Sequence, residues 1–220
     1  QGKFTSGQAF DLDQVLPPTT FERRPEVNLR RGPKTIQDPT SAVPSQIEIN
    51  LNHGDPLALA DQAFMFKRAV RQVALKHGIH ATFMAKPYQG QPGSSMHIHQ
   101  NLVNTKTEVN LFSDKEGNNS KEFFRYIGGL QTYLPDAMLL FAPYVNSYRR
   151  FVIDASAPIN THWGIENRTV AFRVPTSQST ARRIENRIPG ADTNPYLAIA
   201  ASLACGLPVS YTHLRAHETR

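Results

Sequence analysis

The chain sets two histidines one residue apart in "GSSMHIHQNL", Gly93 to Leu102, and a carboxylate between arginines in "RRIENR", Arg182 to Arg187. In extended backbone, residues i and i+2 share a face, so His97 and His99 project together while Met96 and Ile98 take the other side. The same alternation puts Arg183, Glu185 and Arg187 on one face. Glu48 in "SQIEINL" and Arg173 in "NRTVAFRVP" stand on the polar faces of two further extended segments. Carboxylate oxygens with a single imidazole suit Mg²⁺ or Mn²⁺, whereas zinc wants more nitrogen or sulfur. Guanidiniums opposite such an ion would neutralise phosphate oxygens, and phosphoryl transfer depends mainly on positioning and charge compensation. Taken from these residues alone, a surface ion-pair ladder and a half-buried strand with its polar side in water account for the pattern equally well.

The elements that must carry these residues are uneven along the chain. Residues 1–43, with "LPPTTFERRPEVNLRRGPKTIQDPT", are rich in Pro and Arg and hold no sustained period of 2 or 3.6, so no structure is assigned there. From Pro44 the texture changes: "SQIEINL" alternates Ile47, Ile49 and Leu51 with polar residues, which predicts a strand. Asp55 and Pro56 form an N-cap and first-turn pair, and the apolar stripe from Leu57 to Leu75 predicts a helix of about 20 residues ending before Gly78. "HATFMAKP" predicts a second strand that pairs with the histidine strand as a hairpin across the glycine-containing loop "YQGQPGSS". Ser120 caps a helix through Phe123, Phe124, Ile127 and Leu130, weakened in its middle by Gly128 and Gly129. "NRTVAFRVP" is another strand, and Asn194 with Pro195 opens a last helix, Tyr196 to Cys205, closed by Gly206. Strand pairs interrupted by helices make an α+β fold with a largely antiparallel sheet.

Composition narrows the function. The net charge is +6, of which residues 44–207, with 16 Lys or Arg against 12 Asp or Glu, carry +4. Within that span the arginines gather late, at Arg149, Arg150, Arg168, Arg173, Arg182, Arg183 and Arg187. Single arginines on separate strands suit compact anions such as phosphates and carboxylates better than a nucleic-acid groove, which mixes lysine with stacking aromatics. The longest nearly apolar run, Leu197 to Leu207, falls far short of the ~20 residues a membrane span needs. No secretory pattern opens the chain, and one cysteine, Cys205, suits a reducing compartment. The expectation is a cytoplasmic protein that binds neither nucleic acid nor membrane.

Four segments together carry a resemblance: "SQIEINLNHGDPLALADQAFMFKRAVR", "KPYQGQPGSSMHIHQNL", "ENRTVAFRVP" and "ARRIENRIPGADTNPYLAIAASLACGL". In this order they resemble the catalytic domain of the glutamine synthetase family, over roughly residues 44–207, and most of all its γ-glutamylpolyamine synthetase branch. The resemblance implies a largely antiparallel curved sheet flanked by helices, and an ATP-dependent ligase that joins the γ-carboxylate of glutamate to an amine through a γ-glutamyl phosphate. It implies ATP and Mg²⁺ or Mn²⁺ as cofactors, and a ring-shaped homo-oligomer. By the same resemblance His97 and Glu185 are ligands of the metal that bridges the phosphates of ATP, and Glu48 is a ligand of the metal on the glutamate side. His99, Arg173 and Arg183 meet the nucleotide, Gly93 meets glutamate through its backbone, and Arg150, Arg168 and Arg187 hold the glutamate carboxylates or the transferring phosphate.

Departures from the family pattern bear on substrate and completeness. Ammonia-using members carry a glutamate in the flap after "NSYRR", and this chain has Ser156 in "DASAP", which argues for a bulkier amine such as putrescine. The metal-binding glutamate expected seven residues before Glu48 is Ser41, and "PVSYTHLRAHETR" after Leu207 matches nothing in the family. Both ends therefore read as out of frame or foreign: 1–43 unrecognisable, 44–207 a partial catalytic domain, 208–220 an artefactual tail. An ammonia-using glutamine synthetase, a catalytically inactive homologue, and a metal-dependent hydrolase built on His97 and His99 stand as alternatives.

Overall fold

The computed structural model describes Gln46, residues 48–153 and residues 155–207. Ser41, Ile47 and the two terminal segments read above as unrecognisable or foreign, 1–43 and 208–220, lie outside the described residues. The described residues fall into two units, one from Glu48 to Thr82 and one of Gln46 with Phe83 to Leu207.

The first unit is built on helix α1, Pro56–Lys76. Asp55 stands in extended backbone and its carboxylate accepts from the amides of Leu57 and Ala58, so two orphan N–H groups of the first turn are satisfied. Ala60, Ala69, Val73 and Ala74 make its buried stripe. No strand forms over Glu48–Leu51, contrary to the alternation in that stretch: period 2 is compatible with a strand, but a strand exists only when a partner completes its ladder.

The second unit holds a four-stranded sheet and the remaining helices. The strands are β1 (Ile98–Gln100), β2 (Trp163–Ile165), β3 (Phe172–Val174) and β4 (Ile184–Asn186), in the order β1-β4-β3-β2. β1–β4 and β4–β3 are antiparallel, and β2–β3 is parallel. The fold is the α+β class expected. The predicted hairpin between residues 80–87 and the histidine strand does not form; β1 takes β4 as its partner, with Ser95 bridging Gly190 just beyond. At the end of "HATFMAKP", Ala85 O accepts from the Ser94 amide at 2.8 Å, and both peptide groups of Lys86 pair with the Asn146 side chain.

Helix α2 (Lys121–Tyr133) starts at Ser120, whose hydroxyl accepts from the Phe123 amide at 3.1 Å and donates to Leu111 O at 2.5 Å. Two short helices, α3 (Met138–Phe141) and α4 (Val145–Tyr148), lead to the arginine pair of "NSYRR", and α5 (Pro195–Gly206) closes the described chain one residue beyond its expected end. The core lies between the apolar sheet face and the pair α2–α5: Phe123, Tyr126, Ile127, Leu130, Phe172, Ile184 and Ala198 are fully buried, and Met96 and Ile98 pack against them. Gly129 explains its own place in α2. A Cβ there would stand 2.5 Å from Cys205 O and 2.8 Å from Gly206 O, so the missing side chain is what lets α5 approach. Among the described residues, no helix is long and apolar enough to cross a membrane.

Candidate active site

The sheet turns its second face into one polar row. Across β1 and β4, His99 is the register partner of Glu185, and across β4 and β3, Arg173 is the partner of the same residue. Neighbouring strands place opposite side chains within contact distance, so three consecutive strands contribute an imidazole, a carboxylate and a guanidinium side by side. The shared face of His97 and His99 expected from alternation is realised, although His97 precedes β1 rather than belonging to it.

Glu185 is the centre of the cluster. Its side chain is 3% exposed; Oε1 accepts from Arg187 at 2.6 Å and stands 3.1 Å from His97 Nδ1, while Oε2 accepts from Arg173 at 2.5 Å. Burial alone would raise its pKa, but the hydrogen bond and charge of His97 with those of the two arginines hold it well below the usual carboxylate range. Burial lowers the His97 imidazole, and the Glu185 hydrogen bond opposes that without reversing it. His99 accepts from Arg183 Nε at Nδ1, 3.2 Å away, which assigns it the neutral tautomer with its proton on Nε2. Desolvation, with Arg183 nearby, lowers His99 to about 4 against the pull of Glu185.

A carboxylate missed by the sequence reading completes the row. Glu166 sits in left-handed backbone, φ 51°, after β2. Its Oε2 accepts from Arg173 Nε at 3.1 Å and NH2 at 2.6 Å, and its Oε1 accepts from the Thr176 amide at 2.5 Å. The hydrogen bond from the Thr176 backbone N–H and the Arg173 fork depress the Glu166 carboxylate, and the two carboxylates together raise Arg173 against its own burial. The only sequence signal was an acid seven residues before a phosphate-type arginine. It cannot be read without knowing that β2 lies parallel to β3.

Of the remaining predicted residues, Arg187 is drawn into the cluster and its NH2 also donates to Ser156 O at 3.2 Å. Arg168 is exposed in the turn before β3 and takes no part in these ion pairs. Arg150 is 2% exposed: NH1 donates to Ser95 Oγ at 2.9 Å, NH2 donates to Ile188 O, and the guanidinium lies 4.9 Å from the Phe151 ring centroid. Gly93 is pressed against it, since a Cβ would fall 2.7 Å from Arg150 Cγ and 2.6 Å from Ala85 O. Glu48 belongs to the first unit and is exposed there.

Among the described residues no group of three or more His, Cys, Asp and Glu is gathered tightly enough to hold an ion by itself. His97 and Glu185 nonetheless fit part of a hard divalent site: neighbouring ligands of an octahedral ion with bonds of about 2.1 Å stand roughly 3 Å apart, and these two atoms are 3.1 Å apart.

A buried carboxylate between arginines, with an imidazole on the same face of an α+β sheet, is chemically compatible with anionic oxygens and a hard divalent ion. The chain belongs to the glutamine synthetase family: residues 35–209 match the model described as "Glutamine synthetase, catalytic domain". It is 48% identical over 164 residues to the gamma-glutamylputrescine synthetase PuuA of Escherichia coli K12, covering 74% of this chain and 34% of that protein. It is 43% identical over 165 residues to a glutamate–isopropylamine ligase of a Pseudomonas species (74% and 36%), and 40% identical over 163 residues to a glutamine synthetase of Pyrococcus abyssi (74% and 36%). The chain thus spans about a third of the length of these curated relatives.

Proposed function

We propose that this chain carries the nucleotide side of an ATP-dependent ligase that joins the γ-carboxylate of glutamate to an amine. The observation that supports it best is the row His99–Glu185–Arg173, with His97 and Arg187 on the same carboxylate. ATP would phosphorylate a γ-carboxylate oxygen of glutamate, breaking the bond between its γ-phosphorus and the β-bridging oxygen and releasing ADP. The amine nitrogen would then attack the acyl carbon, phosphate would leave, and the surplus proton would pass to solvent. A carboxylate is a poor acyl donor until one oxygen has become part of a phosphate leaving group.

Within this reading, His97 and Glu185 would hold the metal ion from the protein side. Bound Mg²⁺ or Mn²⁺ supplies charge neutralisation on those oxygens. Arg173 and Arg183 orient the nucleotide phosphates, with Glu166 and His99 fixing the two guanidiniums from behind. Arg187 stands where phosphate transfers, and Arg168 is left for a substrate carboxylate. Arg150, whose terminal nitrogens are engaged by Ser95 and Ile188, supports the Gly93 loop from within. A ring-shaped homo-oligomer and a cytoplasmic setting belong to the same proposal.

A primary amine, with putrescine the first choice, is favoured over ammonia as the nucleophile. Ser156 puts no carboxylate beside Arg187 to take a proton from ammonium, and two of the relatives are named for amine substrates. The test is glutamate-dependent ADP release with putrescine, isopropylamine or ammonium at equal concentration. The proposal expects a primary amine to be fastest. Ammonium outrunning every primary amine would overturn the amine assignment, and ADP release indifferent to glutamate would overturn the ligase itself.

A further inference from the structure

We propose that Asn146 is a positioning residue that holds the Gly93–His97 segment in register with the site. Its side-chain amide clasps a single residue 60 positions away: Oδ1 accepts from Lys86 N at 2.9 Å and Nδ2 donates to Lys86 O at 2.8 Å. One amide satisfying both peptide groups of one residue does locally what a strand partner does, and no strand forms over residues 81–87.

The glycine loop is tied at two places, to Lys86 and to its neighbour Ala85. Lys86 Nζ donates to Gln91 O at 2.5 Å. One residue earlier, Ala85 O accepts from the Ser94 amide at 2.8 Å and would stand 2.6 Å from a Cβ at Gly93. Gln46 reaches the same loop from outside, donating from Nε2 to Gly93 O and Ser94 Oγ, each at 3.0 Å.

The turn that bears Asn146 grips the opposite side of the loop as well. Ser147 Oγ donates to Asp192 Oδ2 at 2.6 Å and Arg150 donates to Ser95 and Ile188, while Ala191 N donates to Ser94 O at 3.0 Å and Met96 N to Pro189 O at 3.0 Å. Residues 93–97 are therefore suspended between Lys86 and the tail of β4, and residues 146–150 hold both supports. Asn146 itself is a member of neither the apolar core nor the Glu185 cluster. Loosening it frees Lys86, then Ala85 O, then the loop whose end presents His97.

The inference rests on the proposed role of the Gly93 loop toward glutamate, so its test has one arm that does not. Amide hydrogen exchange is compared between the protein and Asn146→Ala. Exchange at Lys86 and Ser94 is expected to rise about tenfold or more, with Ile127 in α2 and Ala198 in α5 unchanged. In glutamate-dependent ADP release, the KM for glutamate is expected to rise on the order of tenfold while kcat and the KM for ATP stay within about threefold. Asn146→Asp keeps the acceptor for Lys86 N but turns an acceptor toward Lys86 O, and it is expected to behave like the alanine variant. Unchanged exchange at Lys86 and Ser94 overturns the proposal, as does faster exchange with an unmoved glutamate KM. If the unmodified protein shows no glutamate-dependent release, the functional reading fails, and the exchange arm alone decides whether Asn146 sets the loop.

Discussion

His99 and Arg173 face each other across Glu185: both are register partners of that residue, one from each strand flanking β4. The row closes because each basic side chain has a partner of its own, Arg183 for His99 and Glu166 for Arg173. Positive charge is concentrated around one enclosed carboxylate, which suits phosphate more than it suits stability.

Glu185→Gln should therefore be far more damaging than Glu166→Gln. The first removes the charge partner of buried Arg187 and of Arg173, and loss of one member of a buried pair costs about 3–5 kcal/mol. The second breaks a pair whose carboxylate is 46% exposed, worth less than ~1 kcal/mol. Denaturant unfolding of both variants measures this; equal midpoints would mean that Glu185 is not enclosed as described.

Acid should destabilise the metal-free protein from the histidine range downward. The unfolded state takes up a proton at His99 near pH ~6.5, but the folded state does so only at about 4. Bound protons are thus more numerous in the unfolded chain between those values, so stability is full above 6.5 and is lost as pH falls toward 4. His99 lies on the rim with water access, which keeps the effect smaller than for an enclosed ring. His99→Gln should flatten the slope of unfolding free energy across pH 4–6.5, and a slope left intact would contradict the assignment.

Gly129→Ala tests the α2–α5 contact. Alanine favours a helix interior by about 1 kcal/mol over glycine. Its Cβ would nevertheless meet the Cys205 carbonyl at 2.5 Å, and overpacking of this kind costs about 1–3 kcal/mol. The net expectation is a lower midpoint of thermal unfolding; a higher one would show that α5 can move away.

Ser156→Glu should shift amine choice. Placing a carboxylate next to the Arg187 contact is expected to raise kcat/KM for ammonium relative to putrescine by on the order of tenfold. A ratio unchanged by the substitution would remove Ser156 from specificity.

Much of this was legible because its causes are local. Asp55, Ser120 and Asn194 cap the helices they were expected to cap, since a side-chain oxygen needs only the amides two or three residues on. Arg183, Glu185 and Arg187 share a face for the equally local reason that side chains alternate along a strand. Partner choice was not legible. Lys86 reads as strand, yet its peptide groups go to Asn146, and nothing near either residue announces a pairing 60 positions apart. β2 was missed for the same reason: three residues suffice for a strand once β3 lies beside them. The partners of Arg150 were hidden in the same way, because Ser95 and Ile188 O come within its reach only after β1 and β4 pair.

The central claim is that His97 and Glu185 together hold a divalent ion carrying phosphate. The most direct measurement is Mn²⁺-induced broadening of the histidine ring signals by NMR, with and without ATP, in the protein and in Glu185→Gln. The account predicts selective broadening of His97 and, more weakly, His99, strengthened by ATP and abolished in the variant. Broadening that persists in Glu185→Gln, or that spares His97 while reaching His53 and His77 on the first unit, would contradict it.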